Sequence, residues 1–323
     1  MKNIVRRLKK KIWNYLNFDN KIRVVEKLIV RESNIQKMLL GHILVENLLK
    51  KGDLENIHEA EFKVFSQWGD DGIIQYLINK IDTPKTFVDI GAGTYTQPDT
   101  RFLLEHDNWS GIAIDASSVD PLKNSELYPC YDITAKQEFI TAENVNELID
   151  FEEVGLLNID IDGNDYWIWK ALKISPIIVI VEYNPYFGLK PITVPYNKDF
   201  KRNVAHHSSM YYGASLMSLC DLAKEKGYVF IGCNSNGGNA YFIRKDKVGK
   251  LKVLTPQEGY RETKSREHRD KNGNLTFTAP QKAKESLKGM PVFNTQKGKI
   301  ETLKWVIVLR LYVKTQHIAS LCE

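Results

Sequence analysis

From about residue 66 to 246, short apolar runs alternate with helical patterns, and no other feature of the chain limits its fold so narrowly. The runs are "TFVDIGAG", "SGIAIDAS", "QEFITA", "GLLNIDIDG", "PIIVIVEYN", "YVFIGCN" and "NAYFIRK". Between several of them lie segments with helical apolar spacing: "DTRFLLEHD", "AENVNELIDF", "DYWIWKAL" and "ASLMSLCDLAKEKG". A further helix, "SQWGDDGIIQYLINKI", precedes the first run. Strands that alternate with helices need crossover connections, so the chain is predicted to be α/β, with a Rossmann-like, seven-stranded, mostly parallel sheet covered on both faces. Only "NSNGG" separates the last two runs. That is too short for a crossover and predicts a hairpin with an antiparallel last strand.

The flanks read differently. Residues 1–60 carry helical apolar spacing with almost no turn residues, which predicts an N-terminal extension of two or three helices; residues 61–247 form the catalytic-sized domain. Residues 248–323 form a basic C-terminal extension whose 255–300 stretch reads as irregular or mobile, followed by the apolar run "LKWVIVLRLYVK". No stretch approaches the roughly 20 apolar residues of a membrane span, and the first residues lack the apolar middle of a secretory signal. A cytoplasmic location is expected. Cys130, Cys220, Cys233 and Cys322 are too scattered to form a zinc-type pair or a disulfide framework. The net charge of +5 comes mostly from the two ends, which argues against nucleic acid as a partner. The polybasic first helix, with Val5, Leu8 and Trp13 among its apolar residues, suits either peripheral contact with an anionic membrane or docking on its own domain.

The first predicted strand ends in "FVDIGAGTYTQ". In open parallel sheets the ligand sits at the carboxyl ends of the strands, where Gly91 and Gly93 fall. Glycine lets the backbone turn sharply and approach a ligand closely. A dinucleotide loop would have a third glycine where this chain has Thr96. Asp89 would also repel a pyrophosphate, whereas it would attract an ammonium or sulfonium group. A cationic nucleoside such as S-adenosylmethionine fits both features. Asp115 ends the next strand 22 residues after Gly93 and is placed to accept hydrogen bonds from ribose hydroxyls.

With these residues the chain resembles the class I S-adenosylmethionine-dependent methyltransferases. "VDIGAG" matches their first motif, which implies Asp89, Gly91 and Gly93 as cofactor contacts and Asp115 as the ribose acid. The order "WSGIAID", "LLNIDIDGNDYWIWKAL", "VIVEYNP" resembles the FkbM-like bacterial group over about residues 62–246. That likeness implies O-methylation of a sugar hydroxyl in surface-glycan or glycosylated-metabolite biosynthesis. The group usually has Glu-Gly where this chain has Asp162-Gly163.

The fourth and fifth strands end in Asp160 and Asp162, and in Glu182 and Asn184. Neighbouring strands lie about 4.8 Å apart, so these oxygens can converge. Three tasks suit them: holding Mg2+ through Asp160, Asp162 and Glu182, hydrogen-bonding the acceptor, or serving as general base. Asp162 and Asp165 also suit a helix cap. His206 and His207, before a helix, offer a base or a metal ligand. Gln67 with Asp70 or Asp71 is placed to cover the cofactor's methionine end, although capping alone explains both acids. Two other classes use the same scaffold: an NAD-dependent oxidoreductase and a non-catalytic cofactor- or glycan-binding module.

Overall fold

The computed structural model describes residues 2–117, 120–123, 125 and 127–304. The N-terminal region is one helix, α1 (Lys2–Lys51), where two or three were expected, because no glycine before Gly41 and no proline interrupts it. Its far end docks on the domain. Gly41 lies where a Cβ would stand 2.9 Å from the Phe102 ring, and Val45 and Leu48 are buried.

The domain then runs α2 (Asp70–Lys80), β1 (Thr86–Ile90), α3 (Arg101–Asp107), β2 (Ser110–Asp115), α4 (Asp120–Lys123), β3 (Ile133–Gln137), β4 (Leu156–Ile159), α5 (Asp165–Ala171) and β5 (Ile178–Glu182). Next come β6 (Ile192–Thr193), α6 (Arg202–Ala205), α7 (Leu216–Glu225), β7 (Tyr228–Cys233) and β8 (Asn239–Arg244). The C-terminal extension adds α8 (Pro256–Gly259), α9 (Pro280–Ala283), β9 (Pro291–Asn294) and β10 (Lys299–Thr302). Seven strands form one sheet in the order β3-β2-β1-β4-β5-β8-β7, with β8 antiparallel to both neighbours and the other pairings parallel.

Alternation along the central strands explains the burial on both faces. Val88, Ile90, Leu157 and Val179 face α5 and α7 with Trp169 and Leu219, while Phe87, Leu156 and Ile178 face α2 and α3 with Leu77 and Leu103. The polar positions on the second face are therefore conspicuous. Asp89 pairs in register with Asn158 near the strand ends, inside the α2–α3 layer.

Two predicted elements differ. The third strand lies before "QEFITA", where Ile133 and Ala135 turn inward. "AENVNELIDF" yields only a short 3-10 turn at Val145–Glu147, because Thr141 and Asn144 bond each other's backbone and Asn144 also donates to the Phe139 carbonyl. Such local side-chain bonds compete with helix.

Little regular structure forms over 248–290, yet the segment is packed. Leu254 N donates to Phe230 O at 2.9 Å, and the Tyr183 hydroxyl donates to Arg261 O at 2.6 Å. Strands β9 and β10 join β6 in a second, three-stranded sheet over a cluster of Phe187, Val194, Tyr211, Leu287 and Val292. The part of "LKWVIVLRLYVK" from residue 305 onward, and Cys322, lie outside the described residues.

Candidate active site

Three cavities meet at the carboxyl ends of the parallel strands, and all three are lined by Asp160. The first, about 300 Å³, runs between the β1 loop and the α2 start, past Asp89, Gly93, Asp99 and Gln67. A second, about 360 Å³, opens on the other side of Gly91 and Gly93 toward Asp115, Phe139 and Ile140. The remaining one, about 250 Å³, is walled by Asp162, Glu182, Tyr186, Arg202, Tyr212 and Glu267.

Gly91 is required by close approach. Its φ is +95°, and a Cβ there would stand 1.6 Å from the Asp160 carbonyl oxygen, so only glycine lets the β1 and β4 loops touch. Gly93 has φ +55° and nothing within 4 Å of where its Cβ would be, so bare backbone faces open cavity. Its N–H donates to Asp115 Oδ2 at 2.8 Å, while Asp115 Oδ1 accepts from the Ser117 N–H at 2.7 Å. Asp115 and the glycine loop are thus one unit.

Asp89 is fully buried and accepts from Thr100 Oγ1 at 2.6 Å and from Asn158 Nδ2 at 3.1 Å. Burial pushes its carboxyl up to about 6, against the pull of those two donors. Asp99 is held well above the usual carboxylate range, first by burial and then by the charges of Asp70 and Asp89. Asn239 bridges the group, donating to Asp70 at 3.2 Å and Asp99 at 2.9 Å. A positively charged ligand would relieve the mutual repulsion that, after burial, raises these carboxyls, whereas a pyrophosphate would add to it.

Past β4 the chain turns through Asp162, which holds a left-handed φ of +56°. Asp165 fastens that turn by accepting from the Ile161 N–H at 2.8 Å and the Gly163 N–H at 3.0 Å. It belongs to the framework. Asp162 points outward and pairs with Arg202, whose guanidinium lies 4.1 Å from the centre of the Tyr212 ring. Oxygens of Asp160, Asp162 and Glu182 all lie within 4.8 Å of one another. Burial raises the Asp160 carboxyl to about 8, reinforced by Asp162 and Asp165. Burial and the Asp160 charge hold Glu182 well above its ordinary value. Polar atoms without a partner mark the same walls: Asn158 Oδ1, Glu182 Oε2 and Asn236 Oδ1.

Asp89, Gly91, Gly93, Asp115, Asp160, Asp162 and Glu182 are therefore gathered around one connected space. His206 and His207 are not. They stack on each other at 4.2 Å, and His206 Nδ1 is engaged by Ser208 Oγ at 2.7 Å. Neither lines the three cavities, because Arg202, Met210 and Tyr212 of the same segment turn inward instead. Burial, with His207 and His268 adding to it, lowers His206 to about 4. Gln67 and Trp68 line the first cavity, while Asp70 and Asp71 are buried under it. Sequence reading missed Asp99, Asn158, Asn239, Arg202 and Glu267. Only Asn158 carried a signal, as a polar residue inside an apolar strand.

With its antiparallel strand inserted beside β5, this sheet has the strand order of the class I methyltransferase fold. No protein-family model and no curated protein matches the chain. Solved structures do, at low similarity. A Lactococcus lactis protein described as a proposed hemolysin matches at 15% identity and a TM-score of 0.38, over 61% of this chain and 97% of its own. An O-methyltransferase family protein of Burkholderia thailandensis matches at 11% identity and a TM-score of 0.34, over 72% of this chain and 59% of its own. The 1,6-didemethyltoxoflavin-N1-methyltransferase of the same organism, solved with S-adenosylhomocysteine, matches at 13% identity and 0.35, over 54% and 74%.

Proposed function

We propose that this chain is an S-adenosylmethionine-dependent O-methyltransferase of the FkbM-like kind, acting on a sugar hydroxyl in glycan or glycosylated-metabolite biosynthesis. One observation carries the reading: Asp160 is common to a nucleoside-sized cavity beside Asp115, an acid-lined cavity beside Asp89, and a polar cavity beside Arg202 and Tyr212. The residues fit the cofactor. Bare Gly93 faces open space where a Cβ would stand, and Asp89 and Asp99 line the channel that would take its cationic end. S-adenosylmethionine, when bound, supplies a methyl group already activated for displacement. Asp115 would hold the ribose, and the Gly91–Gly93 backbone would pass beneath it. The protein's main task is then alignment of acceptor and donor.

In the third cavity Tyr186 and Tyr212 offer faces for a sugar ring, and Glu267, Thr263 and Ser265 offer hydroxyl partners. Glu182 lines this cavity; a cation held between Asp160, Asp162 and Glu182 would keep its carboxyl ionised, and in that form it would take the acceptor's proton. The oxygen set of Asp160, Asp162 and Glu182 also suits a hard divalent cation such as Mg2+, which would bind and acidify neighbouring sugar hydroxyls.

The test is transfer of a radiolabelled methyl group to a panel of nucleotide sugars and oligosaccharides, in EDTA and with Mg2+ restored. Label in a sugar, lost in EDTA and regained with Mg2+, supports the whole reading. Label unaffected by EDTA removes the cation, and label only in non-sugar acceptors removes the glycan.

A further inference from the structure

We propose that the N-terminal helix is the dimerisation element, forming a parallel coiled coil with a second copy of this chain. Among the described residues of α1, those buried against the domain are Gly41, Val45 and Leu48, whereas residues 20–32 are exposed throughout. At about 1.5 Å per residue, roughly 45 Å of helix reaches past that contact. An isolated projecting helix gains no tertiary packing to stabilise it.

Its exposed apolar residues include one seam, with Val24, Leu28, Val30, Ile35, Leu40, Leu44 and Leu49 lying outside it. Phe18, Ile22, Val25, Ile29, Leu39 and Ile43 follow spacings of four and three, and all six are exposed. They occupy six of the eight successive a and d positions from 18 to 43; Glu32 and Gln36 hold the other two. Ile22, Ile29 and Ile43 fall at a, where β-branched residues favour two strands. Gln36 also falls at a, and a single polar residue there sets register. In the same frame Gly41, Val45 and Leu48, which touch the domain, fall at f, c and f. The helix therefore docks by one side and leaves the seam on the opposite one.

Charge selects the occupant. In a parallel, in-register pair, position g of one helix faces position e of the next heptad on its mate, which sets Lys21 against Glu26 of the second copy, twice. A lipid surface suits the seam less well. The basic residues from Arg6 to Lys11 occupy successive positions around the helix, and Glu26, Glu32 and Asp19 lie beside or within the seam region. Among the described residues no helix is long and apolar enough to cross a membrane.

The experiment is sedimentation velocity of the full chain at micromolar concentration, beside the double variant Ile22→Glu, Ile29→Glu. The expected result is twice the 37.2 kDa chain mass for the natural sequence and one chain mass for the variant, with S-adenosylhomocysteine affinity and domain melting temperature unchanged. A second variant, Val25→Cys, should add a disulfide between copies on mild oxidation, since a parallel pair brings residue 25 against itself. A monomeric natural chain overturns the proposal, as does a dimer that survives both glutamates. A monomer that sediments with phosphatidylserine vesicles, and loses them in the double variant, overturns it in favour of a lipid surface.

Discussion

Two groups of acids lie within the same end of the sheet, and they are treated in opposite ways. At the start of α2, one oxygen of Asp71 accepts from the Val64, Phe65 and Ser66 N–H groups at 2.7, 2.8 and 2.8 Å and from the Ser66 hydroxyl at 2.9 Å. Asp70 accepts from Asn234 at 2.9 Å, from Asn239 and from the Tyr241 hydroxyl. Both also sit in the first turn of a helix, where negative charge is favoured. At the ends of β4 and β5, Glu182 Oε2 is buried with no donor at all, and Asp160 faces three cavities. Asp70 and Asp71 spend their bonds on the fold and hold loops in place, although Asp71 Oδ1 also has no partner. The acids that the fold leaves facing the cavities are the ones the proposed reading assigns to a ligand.

The contrast can be broken most forcefully at Glu182. Glu182→Gln keeps the shape and removes the proton acceptor, so methyl transfer should fall by about 10²–10⁴-fold while S-adenosylhomocysteine affinity stays within about threefold. A rate within tenfold of the natural protein would place Glu182 with the framework. Asp71→Ala should behave in the opposite manner. Stranding three backbone N–H groups costs about 3 kcal/mol, which thermal melting should register as a fall of roughly 6–12 °C. If instead stability holds and affinity collapses, Asp71 belongs to the site.

Asp115→Ala sharpens the comparison, since this acid is bonded to Gly93 and also lines a cavity. Loss of a charged hydrogen-bond partner should weaken S-adenosylhomocysteine binding by about 10–100-fold, and an unchanged affinity on calorimetry would remove the ribose role. Asp89 supplies a pH dependence. Its carboxyl titrates near 6 in the folded protein. Below that pH it gains a proton and loses the charge that attracts a cationic ligand. Affinity should therefore be level above about pH 7 and fall by about tenfold per unit below 6, a trend that Asp89→Asn should abolish. The smallest effect is expected at the histidines. His206→Ala and His207→Ala should each leave turnover within about twofold, and a loss beyond tenfold would show that the 200–210 segment swings inward during the reaction.

Most of the fold was legible because burial on both faces writes itself into apolar runs such as "PIIVIVE" and because "NSNGG" admits only a tight turn. Strand-end residues were legible for the same reason: once β1, β4 and β5 were placed, Asp89, Asp160 and Glu182 had to lie near one another. What stayed hidden depends on loop paths. Arg202 and the histidines share one short stretch, and only packing decides that the arginine turns to Asp162 while the histidines turn away. Asp99 and Asn239 are 140 residues apart, and their bond follows from how the β1 loop folds over β8. The low regularity of 248–290 was visible, but Arg261 and Glu267 reach the domain through individual bonds that leave no periodic trace.

The central claim is that this acid-lined space at the strand ends takes a cationic nucleoside. Calorimetric titration with S-adenosylhomocysteine and, separately, with NAD tests it most directly, each on the natural chain and on Asp89→Ala. Micromolar binding of S-adenosylhomocysteine alone, lost in the variant, is the predicted result. Binding of NAD instead, or of neither ligand, would contradict it.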